Sequence, residues 1–351
     1  MLRVTTPAYT KQEQVPATDE IEEVSPGVFR TQLPVDMPGL GHVNMYVLED
    51  SRGVAVVDPG LPGKATWRII QSRLHALGVP LRRVHSIVIT HSHPDHFGGA
   101  MRLRRATGAD IITHESFRLW FDPTEPDDVD VETVAHHRHS FDSTPWGGPG
   151  YDLPRKRKLY YLAHQKLPRL FPVPRPTVRL AENERVSLAG RQWLALHTPG
   201  HTHDHLCLFD PDEGLMMSGD HVLPTITPHI SGVSTEADPL LGFFRSLDKI
   251  ASFGSQVRLS LPAHGKPFTT LAERCAHIKA HHEERLDKLR AVAADFDRPT
   301  SVMDFSTHLF SPRAQGAMAD SETFAHLEHL RLAGEFDLRV DEGVYRYSRI
   351  S

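Results

Sequence analysis

Two hydrophobic rhythms alternate along the chain. Residues 27–30 and 43–48 read as strands, and Asp50-Ser51-Arg52-Gly53 as a turn after them. The continuous apolar run 54–57 is what a strand covered on both faces shows, and Asp58-Pro59-Gly60 breaks it. Trp67, Ile70, Leu74 and Leu77 then recur at helical spacing and predict a helix over 65–77, closed by Gly78. A strand over 86–90, a helix over 97–107 and a strand over 110–113 follow. Strands alternating with helices predict a layered α/β domain.

Residues 117–178 break this rhythm. They hold acidic, proline-rich and glycine-rich pieces, then the basic run Arg155-Lys156-Arg157-Lys158 ahead of a helical patch, Leu159-Tyr160-Tyr161-Leu162. The stretch reads as an insertion lying over the domain, and connections of such length are commonly lids or substrate loops. Strands resume at 178 and run through 186–188, 193–196, 206–209 and 215–218. After Pro267 the pattern turns helical, over 271–296, 301–310 and 322–333, and closes in a β-like tail at 344–347. Residues 1–20 carry no period and read as an arm. The expected organisation is therefore an arm (1–20), a main domain (21–270, insertion 117–178) and a C-terminal unit (271–351).

Composition changes this picture little. The 351 residues are 39% apolar and 24% charged, ordinary for a globular protein. A net charge of −5 argues against a chain built to coat nucleic acid or an anionic membrane. Cys207 and Cys275 are the only cysteines, too few for a disulfide framework. There is no apolar signal-type stretch near Met1 and no run of about 18 apolar residues, so a cytoplasmic protein without a spanning helix is expected. The unusual feature is the 24 histidines, whose positions carry the chemistry.

The strand ending at Thr90 delivers His91-Ser92-His93-Pro94-Asp95-His96. His91 and His93 would point to one side of an extended backbone, and the chain can turn after Pro94 to present Asp95 and His96 to a second centre. Imidazole nitrogen and carboxylate oxygen suit a borderline-soft divalent ion such as zinc. A solvated histidine-rich turn is the bland reading, and four ligand-type residues in six positions weigh against it. Three further groups follow apolar strands: Thr198-Pro199-Gly200-His201, Ser218-Gly219-Asp220-His221 and Leu261-Pro262-Ala263-His264-Gly265. Each alone could be a buried hydrogen-bonded histidine or a turn aspartate. Jointly they make a set.

The order His91-x-His93-x-Asp95-His96, then His201, Asp220 and His264, with Val57-Asp58-Pro59-Gly60 upstream, resembles the metallo-β-lactamase superfamily over roughly residues 21–267. The resemblance implies a four-layer αββα sandwich with two divalent ions at one edge, zinc first, with iron and manganese as alternatives. It implies that His91, His93 and His201 hold one ion, that Asp95, His96 and His264 hold the other, and that Asp220 bridges them. Asp58 resembles the residue that steadies the ligands from behind, so Asp58, Asp95 and Asp220 are the expected catalytic carboxylates. Histidine at 93, rather than an acidic residue, favours the hydrolase branch over the diiron flavoprotein branch. The expected reaction is attack of a metal-bridging hydroxide on a metal-polarised carbonyl.

Thioester, lactone and ester are the expected substrate classes, the thioester from a glyoxalase II-like ligand set. Phosphodiesterase or ribonuclease activity, and mononuclear-iron persulfide dioxygenase chemistry, are the alternatives. The leaving-group acid stays open between a metal-bound water, His203, His221, His229, Tyr160 and Tyr161. His205 is structural or supports the site, Cys207 is core, and His136, His137 and His139 read as a solvated loop. Trp120, Phe121, Trp146, Tyr151, Tyr160, Tyr161 and Phe171 are candidates for an apolar pocket wall. The basic run 155–158 suits an anionic substrate group or a solvated helix end equally well. The tail 271–351 resembles the winged-helix-like cap of the β-lactamase-like protein 2 group. Residues 318–351 hold seven acidic side chains against four arginines, the reverse of what phosphate binding wants. A small-molecule substrate is therefore expected rather than nucleic acid, with the cap structural or dimer-forming.

Overall fold

The computed structural model describes residues 11–119, 144–147, 155–167 and 173–350. Two sheets face each other. The first has seven strands in chain order: β1 (Ile21–Ser25), β2 (Val28–Met37), β3 (Leu40–Asp50), β4 (Gly53–Val57), β5 (Val84–Val88), β6 (Asp110–His114) and β7 (Val178–Leu180). Its first four strands are antiparallel neighbours and β4 to β7 run parallel. The second sheet places β8 (Arg185–Leu188), β9 (Arg191–His197), β10 (Leu206–Asp210), β11 (Leu215–Gly219) and β12 (Leu259–Pro262) in the order β12-β11-β10-β9-β8.

Alternation along the strands builds the layers. In β4, Ala55 and Val57 face the second sheet, while Val54 and Val56 join Ile70, Leu74 and Leu103 on the outer face. In β10, Leu206 and Leu208 face the first sheet, while Cys207 and Phe209 face outward. Period-two side chains thus feed three apolar clusters, one between the sheets and one outside each. Helices α1 (Lys64–Ala76) and α3 (Ala100–Thr107) cover the first sheet. Helices α5 (Pro239–Ala251) and α6 (Leu271–Ala293) cover the second. This is the expected four-layer αββα order.

Several local readings shift. Strand β5 ends at Val88, two residues before the histidine cluster, and Pro94–Phe97 form a one-turn helix, α2. The helix expected over 97–107 starts only at Ala100, because Gly99 N–H turns to the Gly60 carbonyl at 2.9 Å rather than continuing the ladder from α2; Gly98 and Gly99 lie so close to Pro62 and Pro59 that a Cβ would not fit. Helix α5 lies in a stretch where no element was expected. In the insertion, α4 (Arg155–Lys166) includes the basic run, and Arg155, Lys158, Leu159 and Leu162 along it are exposed. Trp146 is not a pocket wall. It is buried against Phe324, 5.1 Å between ring centroids, and the adjacent Pro145 carbonyl accepts from Tyr345 N–H. Trp120, Phe121, Tyr151, Phe171, the Tyr160 side chain and the 136–139 histidines lie outside the described residues.

The C-terminal region is helical with a small sheet. It comprises β13 (Thr300–Ser301), α7 (Val302–Leu309), α8 (Ala317–Leu332), β14 (Phe336–Asp341) and β15 (Val344–Arg349), with sheet order β13-β15-β14. Its Phe305, Phe324, Leu327 and Phe336 share one apolar cluster with Phe243 and Leu247 of α5 and Met216 of β11, so the core is continuous across residue 270. No helix among the described residues is long and apolar enough to cross a membrane.

Of the segment read as an arm, the described part, from Lys11 on, docks. Gln12–Gln14 form a 3-10 turn with Glu13 fully buried, and its carboxylate accepts from Thr225 N–H (2.7 Å), Ile226 N–H (3.1 Å) and the Thr225 hydroxyl.

Candidate metal centre

Strands β4, β5, β9, β11 and β12 all bring their C-terminal ends to one edge of the sandwich, and each delivers a ligand-type residue just beyond its last pair. These are Asp58, the 91–96 segment, His201, Asp220 and His264. Open α/β layers place their sites at such carboxyl ends. Asp220 requires its predecessor to be glycine: Gly219 has φ 51°, and a Cβ there would sit 2.5 Å from His205 Nε2.

The ligand-type atoms gather into two groups, His91, His93, His201 and Asp220 in one, and Asp95, His96 and His264 in the other. In the first, His93 Nδ1 is 2.9 Å from His91 Nε2 and 3.1 Å from His201 Nε2. In the second, Asp95 Oδ2 is 3.6 Å from both His96 Nε2 and His264 Nε2. Asp220 reaches both: Oδ2 stands 3.5 Å from His201 Nε2 and 3.6 Å from His96 Nε2, and Oδ1 is 3.2 Å from His264 Nε2. The extended backbone expected at 91–93 bends instead, and the two rings still converge on one group.

Behind three of the rings stands an acceptor. His96 Nδ1 lies 2.8 Å from Asp58 Oδ2, His201 Nδ1 donates to the His229 carbonyl at 2.7 Å, and His264 Nδ1 donates to the His42 carbonyl. A proton held at Nδ1 leaves the Nε2 lone pair facing the site. Asp58 also accepts from Thr90 N–H (2.9 Å) and the Thr90 hydroxyl (2.8 Å), and it holds a left-handed φ of 51°. Such a conformation is costly for a residue other than glycine and persists where surrounding bonds fix it.

The electrostatics fit cation ligation. Burial, then neighbouring imidazoles, holds His91 and His93 well below the usual histidine range. Burial also opposes protonation of His96 and His264, yet Asp95 and Asp220 outweigh it and raise both, with Asp58 adding to the effect on His96. Burial opposes ionisation of Asp220, but His264 and His96 outweigh it and hold its carboxyl well below the carboxylate range. His96 Nε2, His264 Nε2 and Asp220 Oδ1 are buried and make no hydrogen bond among the described residues. Orphaned buried polar atoms are expensive, and nitrogen and oxygen donors converging this way suit a divalent metal ion.

The remaining candidates separate. His205 is fully occupied, with Nδ1 2.7 Å from the Thr198 hydroxyl and Nε2 accepting from Asp220 N–H at 3.0 Å. His203 Nε2 lies 3.2 Å from the Ser116 carbonyl. His221 is buried edge-on against Phe243, and Tyr161 packs among the side chains outside the first sheet. Cys207 is core, its thiol pushed up to about 12 by burial. His229 stands beside His201 through its carbonyl.

Two supporting residues escape sequence reasoning. His42 sits on β3 and carries no pattern of its own, yet its Nδ1 lies 2.7 Å from the Val15 carbonyl and its Nε2 accepts from Gly265 N–H at 3.0 Å. Burial, first of all, lowers its pKa and so favours the neutral ring which that acceptance requires. Glu322 of α8 lies 58 residues beyond His264, the nearest ligand in sequence, and still reaches His229. A third buried group, His282, Glu322 and His326, has ligand chemistry as well. Both Glu322 oxygens there are already engaged, by His229 and by the Arg285 cation, so this group reads as a support for Glu322.

Comparison with known proteins agrees with this geometry. Residues 38–267 match the family model described as the metallo-beta-lactamase superfamily. The probable metallo-hydrolase YqjP of Bacillus subtilis is 24% identical over 318 residues, covering 88% of this chain and 91% of that protein. An atrochrysone carboxyl ACP thioesterase of Passalora fulva is 28% identical over 323 residues, covering 90% of this chain and 77% of that protein. The crystal structure of a beta-lactamase domain protein from Burkholderia ambifaria superposes with a TM-score of 0.75 at 27% identity, covering 96% of each chain.

Proposed function

The chain belongs to the metallo-β-lactamase superfamily, and from that premise we propose that it is a dinuclear, zinc-dependent hydrolase of thioesters, lactones or esters. That it is a metal-dependent hydrolase follows from the family and the ligand clusters. The dinuclear reading rests on Asp220, whose carboxylate reaches both histidine sets: Oδ2 lies 3.5 Å from His201 and 3.6 Å from His96, and Oδ1 lies 3.2 Å from His264. Thioesters head the substrate classes because a relative alike over 90% of this chain carries a thioesterase name.

In this reading His91, His93 and His201 hold one ion, Asp95, His96 and His264 the other, and Asp220 both. Two divalent ions, when bound, would supply Lewis acidity to a carbonyl oxygen and an acidified water as nucleophile near neutral pH. The chain's own work is orientation. Asp58, the His229 carbonyl and the His42 carbonyl hold the Nδ1 protons of His96, His201 and His264, so each presents a lone pair inward without reorganising. Asp95 and Asp220 contribute two negative charges, which leaves the loaded site net positive and suited to an anionic tetrahedral intermediate.

The test is metal analysis of the purified chain together with a panel of a thioester, a lactone and bis-nitrophenyl phosphate. Two ions per chain with carbonyl turnover is the expected result. A single iron per chain, or phosphodiester turnover without carbonyl turnover, overturns the proposal.

A further inference from the structure

The connection from Asp220 to α5 runs through residues 221–238 and carries the His229 carbonyl that fixes His201. Helix α8 grips this loop at three points. At one end, Gly232 N–H donates to Ser321 Oγ at 3.0 Å, and the approach is so close that a Cβ on Gly232 would lie 2.5 Å from the Ser321 carbonyl. At the other, His329 Nδ1 meets Asp238 Oδ2 at 2.9 Å, while Asp238 Oδ1 caps α5 through Leu241 N–H. Between them Glu322 Oε2 lies 3.3 Å from His229 Nδ1, and Glu322 Oε1 accepts from Arg285 of α6. Arg285 is itself held over the Phe310 ring, 4.7 Å from its centroid.

The chain of contacts is thus Arg285, Glu322, the His229 ring, the His229 carbonyl and His201. The links between residues are polar contacts of buried or half-buried groups, and the step from ring to carbonyl lies within His229 itself. Glu322 stays ionised although burial works against it, because His229 and Arg285 outweigh the burial and hold its carboxyl below the usual range. A carboxylate fixed on an arginine is a rigid anchor. The ring it anchors sets the position of the carbonyl that selects His201's tautomer.

We propose that Glu322 is a positioning residue for the metal centre: acting through His229, it fixes His201 and thereby sets the affinity of the ion on His91, His93 and His201. The C-terminal region is then part of the metal site's construction rather than a structural or dimer-forming appendage. The inference rests on the ligand assignment proposed above.

The test is cobalt(II) titrated into the metal-free full-length chain, followed by visible absorption with chelator competition. Glu322→Gln keeps the shape and removes the charge. It should weaken one ion several-fold, less than the about 10–100-fold that losing a direct hydrogen bond to a metal ligand costs, because the His229 carbonyl remains, and leave the other unchanged. His229→Ala should do the same, and it carries the test if Glu322→Gln fails to fold. Because the two act along one path, the double variant should lose no more affinity than either single one. His329→Gln, which breaks a different contact between α8 and the same loop, should retain wild-type affinity. Wild-type affinity in Glu322→Gln and His229→Ala, additive losses in the double variant, or an equal loss in His329→Gln would each overturn the proposal. A wild-type chain that takes up a single ion sinks the dinuclear reading instead, and the comparison of affinities for that ion still decides the role of Glu322.

Discussion

Asp58 Oδ2 and His96 Nδ1 stand 2.8 Å apart, and the same carboxylate holds both the amide and the hydroxyl of Thr90, immediately before His91. One buried carboxylate thus orients ligands of both groups, since the Thr90 hydroxyl also lies 3.0 Å from His91 Nδ1. Asp58→Asn preserves size and removes the charge that favours the Nδ1 proton of His96. Zinc affinity should fall by about 10–100-fold, read by chelator competition, with the far-ultraviolet spectrum unchanged. Unaltered affinity would show that His96 needs no such partner.

Asp220 is the residue whose loss should be felt at both ions, because its carboxylate reaches histidines of both sets. Asp220→Ala should lose most bound metal and most hydrolytic activity, measured by elemental analysis and turnover on the same preparation. A fully metallated, active variant would refute the bridging assignment.

How much of this was legible beforehand follows from where the signal lies. Ligands that end strands, such as His201, Asp220 and His264, are announced by the apolar run before them, and doubly covered strands by continuous apolar runs such as 54–57, whereas the four-layer order came from the family resemblance. Helix α5 escaped because its apolar face follows the irregular 221–238 loop, and Pro239 reads as a breaker until Asp238 is seen capping it. Supports such as His42 and Glu322 were not legible at all. They act on the ligands through contacts between residues 222 and 93 positions apart, and no local pattern encodes a partner at that distance. Trp146 misled for a related reason: an aromatic in an insertion says nothing of which surface it covers.

Glu13 makes the N-terminal segment a strap. Its buried carboxylate accepts two backbone N–H groups and a hydroxyl from Thr225 and Ile226, on the same loop whose His229 meets Glu322. Glu13→Ala would strand those half-buried donors, and hydrogen bonds to a charged group are worth about 1.5–3 kcal/mol each at most. A loss of about 2–4 kcal/mol in urea unfolding is expected after partial refilling by water. A change below about 0.5 kcal/mol would mean that the strap is not docked in solution.

The His282–His326 pair should make stability pH-dependent in a definite window. His326 Nδ1 lies 2.7 Å from the Glu322 carbonyl, and its Nε2 lies 3.0 Å from His282 Nδ1, a contact with room for one proton that excludes charging both rings. Burial, first of all, brings the His326 pKa down to about 4 from the 6.5 of a free histidine, and it lowers His282 in the same direction. A depressed histidine binds its proton more readily in the unfolded chain, so stability is intact above about pH 6.5 and is lost as the pH falls toward 4. Each such group contributes a slope of at most about 1.4 kcal/mol per pH unit. His326→Gln, which offers a neutral donor and acceptor at that place, should be less stable than wild type at pH 7.5 and should close that gap as the pH falls to 4.5. Metal ligation adds its own proton linkage, so the comparison is made on metal-free protein, where the site histidines titrate alike in both chains. Parallel stability curves for the two chains across pH 4.5–7.5 would show that His326 does not titrate with folding.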